Sequence, residues 1–267
     1  MARPLAAAVP TQRPPWGWAL AGALVALAAG LALFAPARWA AAAVAQASGG
    51  RVLLEGAHGT VWNGSAQLVL SGGQGSRDPA TLPSPLQWQL RPTASGLRLA
   101  LTSSCCTPQP LVARLQARWS GAAIMVANGA ASQWPAALLS GLGTPWNTLQ
   151  LDGQLQLSTQ DLSLLWSSGQ LQVSGAAQLS ALRLASRVTT VRPMGSYRLR
   201  LEGGSTPRLT LDTAEGPLRL TGSGQWVGSR LRFSGQASAE PEREAALSSL
   251  LNIIGRRSGA QSIITIG

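Results

Sequence analysis

Short runs in which an apolar residue, most often leucine, returns at every second position constrain this chain more than any other feature. The pattern recurs in Leu86-Gln87-Trp88-Gln89-Leu90, Leu97-Arg98-Leu99-Ala100-Leu101, Leu149-Gln150-Leu151 and Leu155-Gln156-Leu157. It returns in Leu171-Gln172-Val173, Leu182-Arg183-Leu184, Tyr197-Arg198-Leu199-Arg200-Leu201, Leu209-Thr210-Leu211, Leu218-Arg219-Leu220 and Leu231-Arg232-Phe233. Successive side chains of a strand point to opposite faces, so each run reads as a strand with one apolar and one wet face. Between the runs lie Gly72-Gly73, Asp152-Gly153, Ser168-Gly169, Gly203-Gly204, Glu215-Gly216-Pro217 and Val227-Gly228. Such short glycine connections favour antiparallel neighbours over crossover helices. The spacing has no fixed period that would define a propeller or a solenoid. The expected fold class is mainly β: an antiparallel curved sheet or a β-sandwich-like domain. Its apolar faces must be covered by a second sheet, by closure into a barrel or by a ligand. Two later segments read as helical, 135–142 and 242–254, the second with Pro241 at its start and Gly255 after its end.

The N-terminal region has a different character. From Pro14 to Ala37 there is no charged residue, and about 20 apolar residues suffice to cross a hydrocarbon core as a helix. Arg3 and Arg13 precede the segment, Trp16, Trp18 and Trp39 lie near its two ends, and Pro36 stops the helix. Ala45-Gln46-Ala47 has the form of a signal-peptidase site, but the apolar core is long for a signal peptide and the site lies well beyond it. The sequence therefore predicts an uncleaved transmembrane helix over 16–37 after a cytoplasmic segment 1–15. A linker or stalk over 38–50 leads into a β-rich domain over 51–267, which lies outside the cytoplasm because a large trailing domain translocates largely regardless of flanking charge.

The residues offer little catalytic chemistry. The hydrophobic share of 45% can build a core, but only 12% of residues are charged, and the ten carboxylates are scattered. His58 is the single histidine, and no Ser, Cys or carboxylate stands from it at a triad or metal-ligand spacing. The reading is of a chain that is not an enzyme, with no catalytic, cofactor-binding or metal-binding residue and no cofactor. All 21 basic residues are arginine and the net charge is +11. Arg98, Arg183, Arg198, Arg200, Arg219, Arg230 and Arg232 fall on the wet phase of strands, a solvated face that also suits an acidic protein or anionic headgroups. Nucleic acid is disfavoured, since the arginines form no block and lack interleaved aromatics. Gly59-Thr60-Val61-Trp62-Asn63-Gly64 is the most distinctive string, and its Asn-Gly pair predicts a two-residue hairpin turn with Trp62 anchored in the core. Cys105 and Cys106 are adjacent, which excludes a disulfide framework or a CxxC knuckle and leaves a vicinal disulfide or two inert thiols.

Taken together, the membrane segment ending near Pro36-Ala37-Arg38-Trp39, the string Gly59 to Gly64, Cys105-Cys106, Pro193-Met194-Gly195-Ser196-Tyr197 and Leu250-Leu251-Asn252-Ile253-Ile254-Gly255-Arg256-Arg257 resemble the type II secretion system protein N family. That resemblance covers nearly the whole chain. It implies a single-pass accessory component of the bacterial inner membrane, with its C-terminal domain in the periplasm. Its implied partners are other secretion components, namely the inner-membrane platform and the secretin, and it brings no residue-level binding site. Gly224-Gln225-Trp226, then Phe233-Ser234-Gly235 and a late helix, also resemble the ends of AsmA-like domains. That likeness implies lipid handling or envelope maintenance, with acyl chains buried in an apolar β trough.

Overall fold

The computed structural model describes residues 16–73, 78–119, 121–129, 131–167, 170–228 and 230–267, so the expected cytoplasmic segment 1–15 and the Ser168-Gly169 turn lie outside the described residues. The chain divides into two units, Met1–Ala35 and Pro36–Gly267. In the first, helix α1 (Trp16–Leu33) runs 18 residues with no buried side chain. At 1.5 Å per residue it is roughly 27 Å long, close to the thickness of a bilayer's hydrocarbon core. Its composition and length fit a membrane span.

The second unit opens with α2 (Ala37–Ala47), which starts directly after Pro36. An alanine-rich helix has little apolar periodicity, yet α2 packs on the first strand and buries Ala37 with Ala66 and Trp88. Ser48 turns the chain at its end, accepting a hydrogen bond from the Val52 N–H at 3.0 Å. The strands then follow in chain order. They are β1 (Val52–Gly59), β2 (Asn63–Leu70), β3 (Ala80–Thr81), β4 (Leu86–Thr93), β5 (Gly96–Thr102), β6 (Leu111–Arg118), β7 (Gly121–Val126) and β8 (Ser132–Pro135). After helix α3 (Trp146–Leu149) come β9 (Asp152–Ser167), β10 (Gln170–Ala185), β11 (Gly195–Glu202), β12 (Arg208–Glu215), β13 (Leu218–Val227) and β14 (Arg230–Ala239). Helix α4 (Glu244–Ile254), β15 (Arg256–Ser258) and β16 (Gln261–Ile266) complete the unit.

These strands form one antiparallel sheet in the order β1-β2-β4-β5-β6-β7-β9-β10-β11-β12-β13-β14-β16-β15, with β3 added to β2 and β8 to β9. The sheet is not closed: β1 and β15 end the order and do not pair with each other. Strand directions sort the connections onto two ends. Those of β1 to β2, β4 to β5, β6 to β7, β9 to β10, β11 to β12 and β13 to β14 share a hairpin end. The longer connections share the opposite end, where the 3₁₀ turns Ala136–Leu142 and Pro241–Arg243 and helices α3 and α4 lie. We call this the capped end.

The cap decides where the core sits. Leu247, Leu250 and Leu251 on one face of α4 are at most 1% exposed, and they pack with Leu155, Leu184, Tyr197 and Leu218 from the capped ends of β9, β10, β11 and β13. A second cluster, Ala80, Leu82, Cys106 and Leu138, lies in the connections of the same end. On β11 and β9 the burial fades away from the cap. Tyr197 is buried whereas Leu199 and Leu201 are half-buried, and on β9 Leu162 is buried, Leu164 half-buried and Trp166 exposed.

The structure corrects several details of the sequence reading. Leu149-Gln150-Leu151 is not a strand: Leu149 ends α3, and Gln150 takes a left-handed φ of 41° that lets both leucines turn inward. Their buried-exposed-buried order imitates a strand. Asp152-Gly153 opens β9 instead of forming a connection. The 135–142 segment is a 3₁₀ helix beginning at Ala136, and of the linker and helical stalk left open for 38–50 the structure has mostly helix, α2.

Candidate functional site

The string singled out in the sequence builds the first hairpin, though not through its Asn-Gly pair. Asn63 and Gly64 already belong to β2, and Gly59 pairs with Gly64. The loop is closed by the Thr60 N–H to the Asn63 carbonyl (2.8 Å) and by the Asn63 N–H to Thr60 Oγ1 (3.1 Å). Gly64 is required because a Cβ there would stand 2.3 Å from the Trp88 ring. It is Trp88, not half-buried Trp62, whose indole fills the space beneath, with Nε1 donating to the Val61 carbonyl at 3.1 Å. His58 lies exposed on β1 opposite Ser65. Among the described residues no three His, Cys, Asp or Glu side chains gather at a metal-holding distance.

Cys105 and Cys106 are bonded to each other in the β5–β6 connection. The Cys105 N–H donates to Ser84 Oγ (3.1 Å) and the Cys106 carbonyl accepts from the Gln133 N–H (2.7 Å), so the pair ties together three connections of the capped end. Cys106 lies in the buried cluster with Leu82 and Leu138.

The second string, 193–197, shapes a recess at the capped end. A cavity of about 530 Å³ at the capped end is lined by Arg183, Arg192, Arg243, Ser196 and Glu215, with Pro193 and Pro217 at its walls. Arg183 sits at an irregularity between β10 and β11 with φ of 50°, in the left-handed region that a residue with a Cβ seldom adopts. Ser196 Oγ holds that turn, accepting from the Arg183 N–H (3.0 Å) and donating to Glu215 Oε1 (2.9 Å). Gly216 is needed opposite, with φ of 113° and its Cβ position 2.3 Å from the Gly195 Cα. Behind the recess Tyr197 is buried, its Oη donating to the Leu218 carbonyl at 3.1 Å, and burial pushes the phenol pKa well above its ordinary value. Three guanidinium groups against one carboxylate make the recess cationic, a surface fitted to carboxylate or phosphate groups.

The seven arginines expected on the wet phase are all exposed. They do not form one site. Arg183 lines the recess, Arg219 pairs with Glu240 at 2.8 Å, Arg200 donates to Gln178 at 3.1 Å, and Arg98, Arg230 and Arg232 lie toward the hairpin end. Arg192, Arg243 and Glu215 were not read from sequence as site residues. Their only signal was the quoted string beside them, because the recess is assembled from connections far apart in the chain.

Among the described residues, one helix with the length and composition of a membrane span precedes an open antiparallel sheet, the architecture of a single-pass membrane protein with a β-rich domain. Residues 50–264 match the family described as type II secretion system (T2SS), protein N, and the chain belongs to that family. The match begins two residues before β1 and ends inside β16, so it takes in the sheet up to its last two residues. No curated protein and no solved structure matches the chain. Membership gives the protein an accessory role in type II secretion.

Proposed function

We propose that the protein is a non-enzymatic subunit of the type II secretion system that works by binding other components during export of folded exoproteins. In this reading α1 holds it in the inner membrane, residues 1–15 face the cytoplasm and residues 51–267 face the periplasm. The inner-membrane platform and the secretin are its partners. The observation that carries the reading is the family match over 50–264. The cationic recess at the capped end supports a binding role, since guanidinium groups recognise acidic side chains.

The test combines topology, secretion and contact. Alkaline phosphatase fused after Gly267 should be active in intact cells, and the chain should remain in carbonate-washed membranes. A strain lacking the protein should accumulate exoproteins in the periplasm, and His58→Ala should restore export as well as the native chain does. A photo-crosslinking residue at Arg192 should capture a secretion component. Unimpaired export without the protein, or export that requires His58, would refute the reading.

A further inference from the structure

The recess lies at the capped end, whereas the largest exposed apolar side chains of the sheet domain gather at the opposite end. Trp119 at the β6–β7 connection is fully exposed, and Trp166, Leu171, Val227 and Ile266 are each about half exposed. Trp166 and Leu171 are direct cross-strand partners, and Val227 and Ile266 stand at the hairpin-end tips of β13 and β16. Leu142 and Trp146 at the capped end are less exposed, about two fifths each, so the exposed apolar surface is weighted toward the hairpin end and points to something that covers it. Arg91, Arg98, Arg118, Arg208 and Arg230 stand within two residues of the same tips, and Glu202 is their acidic counterpart.

The path of the chain says what covers this end. Pro36, the first residue of the sheet domain, forms a β-bridge with Thr60 in the β1–β2 connection, which belongs to the hairpin end. Helix α1 ends at Leu33, and three residues of chain reach at most about 10 Å. The hairpin end is therefore the end from which, at its β1–β2 corner, the chain runs back to the apolar helix. Indole rings favour the bilayer interface and arginines favour anionic headgroups. We propose that the hairpin end rests on the surface of the membrane that α1 spans, with Trp119, Trp166 and Val227 seated among anionic lipid headgroups. The recess at the other end is then directed away from the bilayer. This inference rests on reading α1 as a membrane span.

The test uses the full chain in nanodiscs containing phosphatidylglycerol, with an environment-sensitive fluorophore on one introduced cysteine at a time and the native cysteine pair left oxidised. Trp119→Cys and Val227→Cys report the hairpin end, Arg187→Cys the capped end and Leu27→Cys the helix. Nitroxide-bearing lipid should quench the label at 119, 227 and 27, with blue-shifted emission, and leave the label at 187 unaffected. Quenching at 27 with labels at 119 and 227 as solvent-exposed as that at 187 would overturn the docking inference alone. Absence of quenching at 27 would overturn the membrane-span reading and the inference with it. Protection at 119 and 227 that appears only when other secretion components are co-reconstituted would reassign the surface to a protein partner.

Discussion

At the capped end of the sheet the alternating leucines close against α4 and the long connections, whereas at the hairpin end the same alternation runs on into exposed tryptophan and half-buried leucine. Strand periodicity is equal at both ends, so it does not determine burial. The difference comes from the connections: those between β8 and β9 and between β14 and β15 are long enough to fold back as helices and 3₁₀ turns, and the hairpins are not. One sheet thus carries a core at one end and an interaction surface at the other.

The sharpest test of this division is a carboxylate placed at each end. Leu250→Asp buries an unpaired charge beneath α4 and should cost several kcal/mol, a large part of the 5–15 kcal/mol typical of a domain. Leu171→Asp, at the half-exposed end of β10, should shift stability by no more than about 0.5 kcal/mol. Thermal melts of the two variants in detergent should differ widely, and equal losses would abolish the distinction between the ends. Gly64→Ala should cost about 1–3 kcal/mol, because its methyl group meets the Trp88 ring. Adding Trp88→Leu should remove the ring's part of that penalty and leave the part due to the His58 carbonyl, 2.9 Å from the same position, and a purely additive double variant would show that the ring contact is not a source.

A smaller effect is expected at Tyr197. Loss of its hydrogen bond in Tyr197→Phe should cost about 1 kcal/mol. The native phenol is pushed up by burial, so below the ordinary value of 10.0 both folded and unfolded chains keep the proton and its contribution is complete. As pH rises past that value the unfolded chain ionises first and the folded state loses stability, a decline that Tyr197→Phe should lack. Parallel slopes in alkaline melts would contradict the assignment. The smallest change is expected from joint Cys105→Ser and Cys106→Ser. A bond between adjacent residues constrains almost no loop, so the loss should stay below about 1 kcal/mol and export should continue. Loss of export from a stable double variant would show that the pair does more than join connections.

The strands were legible because the side-chain period of two was written in leucine, and α4 because Pro241 and Gly255 bracket its apolar face. Helix α2 was legible only as one of two alternatives, a linker or a helical stalk, since alanines pack closely without marking a face. Leu149-Gln150-Leu151 misled because a left-handed residue between two buried leucines produces the strand's own alternation. The Gly59 to Gly64 hairpin was visible, but its turn chemistry was assigned to Asn63-Gly64, where Gly64 serves the Trp88 ring instead. The cationic recess was hidden because Arg183, Glu215 and Arg243 approach one another only after the five strands β10 to β14 have paired.

The near-sequential strand order also bears on how the domain is made. A chain delivered N-terminus first can add each strand to one already laid down, so most pairing closes short loops and needs little search. The principal core is different, because Leu247, Leu250 and Leu251 follow fourteen of the sixteen strands. Until α4 emerges, the growing sheet holds a row of unsealed leucines, the kind of surface that draws chaperones and proteases. Maturation of the domain is thus timed by a late helix, which makes that segment a checkpoint for whether a newly made copy survives.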